Sequence, residues 1–432
     1  MANETSVNNR QVIVATIASV LGWSLDLFDL FLILYVAPTV GSLFFPSKIQ
    51  TLSLASVFAA FAISVLVRPL GSAFFGNYAD KWGRKRAMII TVTGVGVATS
   101  LLGTLPTFNR VGLLAPILFL LIRVLQGIFV GGVTASTHTI GTETVAPRWR
   151  GLMSGLISGG ASIGSLVASI VLFIVTSIFP GEAFKVWGWR FMFFSGLLCV
   201  VFGIILYKTL EESPIWLQMK EREQLNKKPV ATPLKTLLSK AYAPILLINI
   251  IIVAGAASQY YLTSGYLPSF LELVNQVSRS TVGKIMISGS IVAFISPVLV
   301  GHLSEMIGRK KTFLLTGIIN LFIVPVIYLQ LSQIHTYSIM VLFTIIISFL
   351  GNAAYAPVLI FLNERFPTEI RASGTALSWN IGFAIGGLMP TFVTALSPTL
   401  KYIPTRLIAF LIGVTILFLI GSLVSPETKG RF

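Results

Sequence analysis

The sequence predicts an all-α membrane protein: twelve transmembrane helices in two six-helix bundles, with both termini cytoplasmic. Three observations carry that expectation. The 432 residues are 55% hydrophobic and only 11% charged, whereas a soluble domain carries about 25% charged residues. The apolar residues fall in long runs, each about the 20 residues a helix needs to cross a bilayer. The polar punctuation between the runs repeats in the two halves of the chain.

Taken in order, the runs predict spans over 11–37, 51–76, 87–106, 112–142, 151–179, 187–209, 241–271, 280–304, 312–331, 336–362, 372–396 and 404–424. The first run is too long for a signal-peptide core and leads directly into further spans, so a cleavable signal is not expected. The polar stretch 210–240 divides the chain into a bundle at 1–209 and a second at 241–432, the latter with a short cytoplasmic tail. Lys220-Glu221-Arg222-Glu223-Gln224 and Asn226-Lys227-Lys228-Pro229 read as a solvated tether with some helix rather than a regulatory site.

Lys and Arg number 31 against 15 acids, a net charge of +16. Such an excess alone is compatible with nucleic acid, but the basic residues cluster between apolar runs, and no nucleic-acid partner is expected. With twelve spans and the termini inside, 21 of the basic residues fall in inner segments, eight in outer segments and two within spans. That asymmetry places the termini in the cytoplasm. The single cysteine, Cys199, lies in an apolar run and permits no intrachain disulfide.

Gly76-Asn77-Tyr78-Ala79-Asp80-Lys81-Trp82-Gly83-Arg84-Lys85-Arg86 follows the second span, and Gly301-His302-Leu303-Ser304-Glu305-Met306-Ile307-Gly308-Arg309-Lys310-Lys311 follows the eighth, at a constant offset of 225. A second pair, Glu143…Pro147-Arg148…Gly151 and Glu364…Pro367…Arg371…Gly374, follows the fourth and tenth spans. Two motifs repeated in order imply a duplicated six-helix unit. Units of this kind build transporters whose site lies between the halves near mid-membrane. An acid at the end of one helix can accept hydrogen bonds from the next helix's amino terminus or from a nearby Arg. Asp80, Arg84, Glu143, Arg148, Glu305, Arg309, Glu364 and Arg371 are therefore expected to form loop latches.

Four ionisable residues can sit in the middle part of the membrane: Asp26, Asp29, Arg68 and Arg123. Each costs about 2.5–3.5 kcal/mol at the centre of a helix on insertion scales, so they must pair, face water or neutralise. One outcome is two ordinary ion pairs joining helices. The other uses the pairing as a switch: a solute carboxylate engages an Arg, and the acid thus deprived of its partner takes up a proton. In that scheme Asp26 and Asp29, one turn apart on one face, are the proton-coupling pair, with Asp29 the expected carrier. Arg123 is its charge partner and a substrate contact, Gln126 shares its face, and Arg68 is the next candidate for a solute carboxylate. Gln259, Tyr260, Tyr355 and Asn380 are further candidate contacts, with interfacial anchoring or small-residue packing as the competing explanation. Asn352 is a similar candidate, and His138 is expected to serve structure or gating. No metal-ligand cluster, nucleophile triad or phosphate loop is legible. An enzyme is not expected, nor a cofactor; the driving force would be a proton gradient.

These motifs resemble the major facilitator superfamily over nearly the whole chain. Gly76…Asp80…Gly83-Arg84-Lys85-Arg86 is similar to its signature loop, and Arg123-Val124-Leu125-Gln126-Gly127 to its fourth-helix motif. Glu212-Ser213-Pro214 and Pro426-Glu427-Thr428-Lys429-Gly430 resemble the motifs that close each half in sugar-porter-like members. Within the superfamily the chain most resembles the metabolite:proton symporters, through Gly22-Trp23-Ser24-Leu25-Asp26-Leu27-Phe28-Asp29, Phe44-Phe45-Pro46-Ser47, Arg68-Pro69-Leu70-Gly71, Tyr266-Leu267-Pro268, Phe366-Pro367-Thr368…Arg371…Gly374 and Ser378-Trp379-Asn380-Ile381-Gly382. The sialate/lactate:proton symporters share the first-helix acids and Val186-Trp187-Gly188-Trp189-Arg190. The resemblance implies the major facilitator fold and proton-coupled uptake of a small, often carboxylated metabolite. Those families usually continue the fourth-helix motif with Gly-Gly-Glu and an aromatic. Here it reads Gly131-Gly132-Val133-Thr134, which shifts coupling onto the first helix.

Three function classes follow: a proton-coupled symporter of a small organic metabolite, of the carboxylated kind the resemblance implies; a uniporter or exporter of an uncharged or sugar-like solute; and a non-transporting membrane sensor. The two buried arginines favour an anion, while the first-helix acids equally suit a cation or zwitterion. Protons, a small metabolite and the lipid bilayer of the cell membrane are the expected partners of a functional monomer.

Overall fold

Long apolar stretches in a bilayer must satisfy every backbone N–H and C=O internally, and a helix does so within a single segment. The computed structural model describes residues 9–145, 150–214, 216–218, 221, 237–366 and 368–429, and no strand occurs among them. The long helices are α1 (Asn9–Phe44), α2 (Gln50–Trp82), α3 (Arg84–Thr104), α4 (Leu114–Thr144) and α5 (Arg150–Ile178). They continue as α6 (Phe184–Thr209), α7 (Ala243–Leu273), α8 (Arg279–Ile307), α9 (Arg309–Leu331), α10 (Tyr337–Arg365), α11 (Thr368–Ala395) and α12 (Ile403–Val424). Among the described residues, eleven helices are long and apolar enough to cross a membrane. Leu70, Phe74, Leu121 and Phe322 point outward with well over half of their surface exposed, an apolar exterior that belongs in lipid. The chain is a multi-pass membrane protein.

Several boundaries run past the sequence expectation for a physical reason. The first helix continues through Pro38 to Phe44. Proline removes one hydrogen bond, whereas ending the helix in an apolar setting would orphan several. The second helix likewise carries its polar motif as helix as far as Trp82, and Gly83 ends it at φ +110°. Gly308 does the same after α8 at φ +101°, in a region of backbone space that disfavours side chains with a Cβ.

Helices α7 and α10 are interrupted. Ala243–Tyr260 passes into a π-helical turn, Tyr261–Gly265, and resumes at Leu267–Leu273. Tyr337–Ala353 unwinds before Val358–Arg365, where Pro357 cannot donate a helical bond. Interruptions of this type are frequent at functional sites.

The packing repeats as the sequence does. Helix α2 packs on α4 and α8 on α10; α3 packs on α6 and α9 on α12. The first six helices meet the last six chiefly through α5 on α8 and α2 on α11, two seams that exchange when the halves are swapped. At the α5–α8 seam a chain of hydroxyls crosses over. Tyr35 Oη lies 3.0 Å from Ser165 Oγ and 2.9 Å from Ser169 Oγ, and Ser165 Oγ lies 2.8 Å from Ser290 Oγ.

Candidate functional site

Helices α2 and α4 approach until their backbones touch, because Gly127 and Gly131 present no side chain one turn apart. A Cβ on Gly131 would come within 2.8 Å of Ser72 N, and one on Gly127 within 2.9 Å of Ser64 C and Cα. Spacing of this kind is the small-residue packing of membrane helices. It brings Ser64 and Arg68 of α2 against Arg123 and Gln126 of α4, facing the acids of α1.

Asp26, Asp29, Arg68, Arg123 and Gln126 are all buried, and they form two unlike groups. In the first, Gln126 bridges Arg123 to Asp29. Arg123 Nη1 donates to Gln126 Oε1, and Gln126 Nε2 donates to Asp29 Oδ1. Thr99 Oγ1 of α3 donates to the same Asp29 oxygen and accepts from Gln126 Nε2 at 2.8 Å. Arg123 Nη2 donates to Ser64 Oγ at 2.8 Å, and its guanidinium lies over the Phe61 ring at 5.8 Å. In the second group, Arg68 Nη2 stands 3.4 Å from Asp26 Oδ1. Neither Asp26 oxygen accepts a hydrogen bond, and Arg68 Nε has no acceptor.

The last six helices cover this cluster with an aromatic wall. Tyr260 stacks on Tyr355 at 5.6 Å; Tyr355 meets Trp379 at 5.3 Å; Trp379 stacks on Phe383 at 4.4 Å. Rings of α1 join from the other side, Phe31 at 6.2 Å from Tyr260 and Trp23 at 6.5 Å from Trp379. Phe61 of α2 touches Tyr261 at 5.5 Å, and the Tyr261 hydroxyl is buried without a partner. The interrupted part of α7 and the unwound part of α10 supply the tyrosines. Unbonded polar atoms are rare in a protein interior; both Asp26 oxygens, Arg68 Nε, Arg123 Nε and the Tyr261 hydroxyl are such atoms, and they meet at this site.

The structure thus brings Asp26, Asp29, Arg68, Arg123 and Gln126 together and sets Tyr260 and Tyr355 opposite them. Asn380 is buried next to Trp379. Gln259 turns into its own half, where Oε1 accepts from Asn320 Nδ2 at 2.7 Å and Nε2 donates to Gly255 O at 3.3 Å. Asn352 donates to Ser264 Oγ and Ser348 O. Thr99, Ser64 and Tyr261 were not singled out by sequence. Small hydroxyls inside apolar spans carry no signal that separates them from packing residues.

At the end of the bundle where α1 begins and α12 ends, Arg309 donates from Nη2 to Glu305 at 2.6 Å and to Glu364 at 3.1 Å, and from Nη1 to Ser304 Oγ at 2.7 Å. Thr428 Oγ1 donates to Glu364 at 2.6 Å. Helix α9 is capped from elsewhere: Glu427 accepts from Arg309 N at 2.8 Å and Lys310 N at 3.1 Å. Glu212 does the same for α3, accepting from Arg84 N at 2.9 Å and Lys85 N at 3.1 Å. Both capping acids belong to the motifs that close each half, which was the available signal. The side chains of Asp80, Glu143, Arg371 and His138, and the whole of Arg148, lie outside the described residues.

The opposite end of the bundle is closed by contacts between the halves. Phe58 stacks on Tyr266 at 5.2 Å, the Arg279 guanidinium lies over Phe184 at 5.2 Å, and the Lys284 ammonium lies over Phe173 at 5.3 Å. A cavity of about 280 Å³ lies nearby, lined by residues including Ser42, Lys48, Ser53 and Leu273.

A duplicated helical bundle with broken helices and an incompletely bonded ionic cluster at its seam defines a secondary transporter. The chain belongs to the Major Facilitator Superfamily, whose sequence model matches residues 12–391, and it is a transporter rather than an enzyme. It is 29% identical over 435 residues to the glycine betaine/proline/ectoine/pipecolic acid transporter OusA of Dickeya dadantii (strain 3937), covering 99% of this chain and 86% of that protein. The proline/betaine transporter of Escherichia coli (strain K12) is 28% identical over 434 residues, with the same coverage of each chain. Among solved structures, a D-xylose-proton symporter superposes with a TM-score of 0.73 at 18% identity, covering 97% of this chain and 99% of that one. This last likeness speaks to the fold alone.

Proposed function

We propose that the chain is a proton-coupled symporter, by alternating access, of a small zwitterionic metabolite carrying an ammonium and a carboxylate. In the topology we adopt, twelve spans place both termini in the cytoplasm, and the protein works as a monomer in the cell membrane. The 21-to-8 asymmetry of basic residues supports that orientation.

The observation that carries the substrate class is the seam itself. On one side stand Arg68 and Arg123, each with an Nε that has no acceptor, beside two acids; on the other stand Tyr260, Tyr355, Trp379 and Phe383. A guanidinium suits a carboxylate, and an aromatic wall suits an alkylated ammonium, worth about 2 kcal/mol when desolvated. Glycine betaine and proline, which name the relatives above, both carry the two groups on a short skeleton. An acid deprived of its arginine by the solute's carboxylate takes a proton, so solute and proton cross together.

The test is uptake of radiolabelled glycine betaine and proline into proteoliposomes under an imposed pH gradient. Accumulation should collapse with a protonophore. Tetramethylammonium and acetate, each carrying half of the charge pattern, should compete weakly. Trp379→Ala should raise KM for glycine betaine about thirtyfold, as loss of about 2 kcal/mol requires. Flux that ignores the pH gradient would instead favour a uniporter, and binding without flux a sensor.

A further inference from the structure

We propose that Asp26, held against Arg68, carries the coupling proton, and that Asp29 is a fixed positioning acid that orients Arg123. This rests on the reading of the chain as a proton-coupled carrier. It reverses the sequence expectation that Asp29 is the principal carrier.

The two acids sit one turn apart and are equally hidden from water, so their partners decide between them. Asp29 Oδ1 accepts from Thr99 Oγ1 and Gln126 Nε2 together. Gln126 is itself fixed by Arg123, and Arg123 by Ser64. The charge on Asp29 is therefore met by donors from α3 and α4, and α2 braces them through Ser64. All of these helices lie in the first half and move with α1. A carboxylate that already accepts from two fixed donors gains little from a proton, which would turn an acceptor into a donor among donors.

Asp26 has none of this. Neither oxygen accepts a hydrogen bond, and Arg68 at 3.4 Å meets it as a charge only. The groups facing it are Arg68 from α2, Asp29 one turn along α1, the Cys199 thiol from α6, and the hydroxyls of Tyr260, Tyr261 and Tyr355 from α7 and α10. Arg68 is the only cation in that set. When a solute carboxylate draws Arg68 away, Asp26 is left as a buried anion with neither hydrogen bond nor counter-charge, a state a proton relieves. The proton arrives from water on the loading side and bonds to one Asp26 oxygen. It leaves to water on the other side when the solute departs and Arg68 returns. Because α7 and α10 belong to the second half, rocking of the halves changes what covers Asp26; Asp29 also feels the charge of Arg68, but its donors Thr99 and Gln126 stay with it in the first half.

The experiment requires no solute. Infrared spectra of the purified protein in lipid nanodiscs, recorded across a pH titration, should show the carbonyl band of a buried carboxylic acid. The band should be absent in Asp26→Asn, retained in Asp29→Asn, moved in midpoint by Arg68→Gln and unmoved by Thr99→Val. A band that survives Asp26→Asn and is lost in Asp29→Asn overturns the assignment, as does a parent protein with no titrating band. Should Asp29→Asn fail to fold, the contrast between Arg68→Gln and Thr99→Val decides, and a midpoint that follows Thr99 alone counts against Asp26. With glycine betaine as probe, Asp26→Asn should lose at least tenfold of gradient-driven accumulation while keeping counterflow exchange. A parent without gradient-driven accumulation would refute the symport reading and leave the infrared comparison to judge the residue.

Discussion

Glu427 shows how much one side chain just beyond α12 can hold in place. Its carboxylate accepts from four backbone N–H groups, those of Arg309, Lys310, Thr428 and Lys429. Burial pushes its pKa up, but these four bonds outweigh that and hold it below the usual glutamate value of 4.5. A depressed folded value means that the stabilisation is complete above the unfolded value and is lost as pH falls through the folded one. Glu427→Gln should therefore lower the melting temperature at neutral pH. The gap to the parent should narrow as pH drops below the usual glutamate range, which thermal unfolding in detergent at a series of pH values would check. A variant gap that stays constant with pH would show that the charge is not what caps α9. The repeated loop motif was legible because acid, glycine and basic triplet sit within eleven consecutive residues. Its capping acid was not assigned, because Glu427 lies 118 residues beyond Arg309 and no local rule links such positions.

The same contrast governs the elements. Span positions were legible because they depend on run length, a local property. The ends were less so: α1 through Pro38, α2 through its loop motif and the break of α7 at Tyr261–Gly265 are set by what surrounds them. The closeness of α2 and α4 is a further case, since Gly127 and Gly131 look like many other glycines in this chain until the neighbour is seen. At Gly131 the neighbour is backbone, with Ser72 N 2.8 Å from a would-be Cβ, and backbone in a helix cannot rotate away. Gly131→Leu should force α2 outward, separate Ser64 from Arg123 and Arg68 from Asp26, and destabilise the fold by about 1–3 kcal/mol, the usual range for overpacking. Transport should be lost with it. Gly301 belongs to the repeated motif yet faces open space, so Gly301→Ala should be neutral in both assays, or slightly stabilising through helix propensity. Equal damage from the two substitutions would show that the close approach of α2 and α4 is not what assembles the site.

For the whole molecule, the question is what opposes opening on the outer side, and the geometry singles out Arg279. In the topology proposed above, the end carrying Phe44 and Arg279 faces outward, and there Phe184, Phe173 and Phe58 of the first half meet Arg279, Lys284 and Tyr266 of the second. Arg279 Nη2 is paired with Glu272 at 2.8 Å, both on the second half, and the face of its guanidinium rests on Phe184 of the first. The ion pair thus fixes the cation in the pose that grips the other half. A cation over an aromatic face is worth about 0.5–1 kcal/mol when exposed and more when desolvated. Every 1.4 kcal/mol shifts a two-state equilibrium tenfold. Arg279→Gln should therefore raise the outward-open population several-fold, and Phe184→Leu should do the same without disturbing the Glu272 pair. Cys199 is the sole cysteine in the sequence and is buried, so Cys199→Ser supplies a background free of native thiols. On it, Ser53→Cys reports on the outer cavity, where Ser53 is 7% exposed in the closed form. Labelling by a membrane-impermeant maleimide should accelerate several-fold in either gate variant, and together the two should accelerate no more than one alone, because they break a single contact. Unchanged labelling, or effects that multiply, would mean that the outer side is held elsewhere, with Lys284 over Phe173 and the Phe58–Tyr266 stack as the contacts to break next.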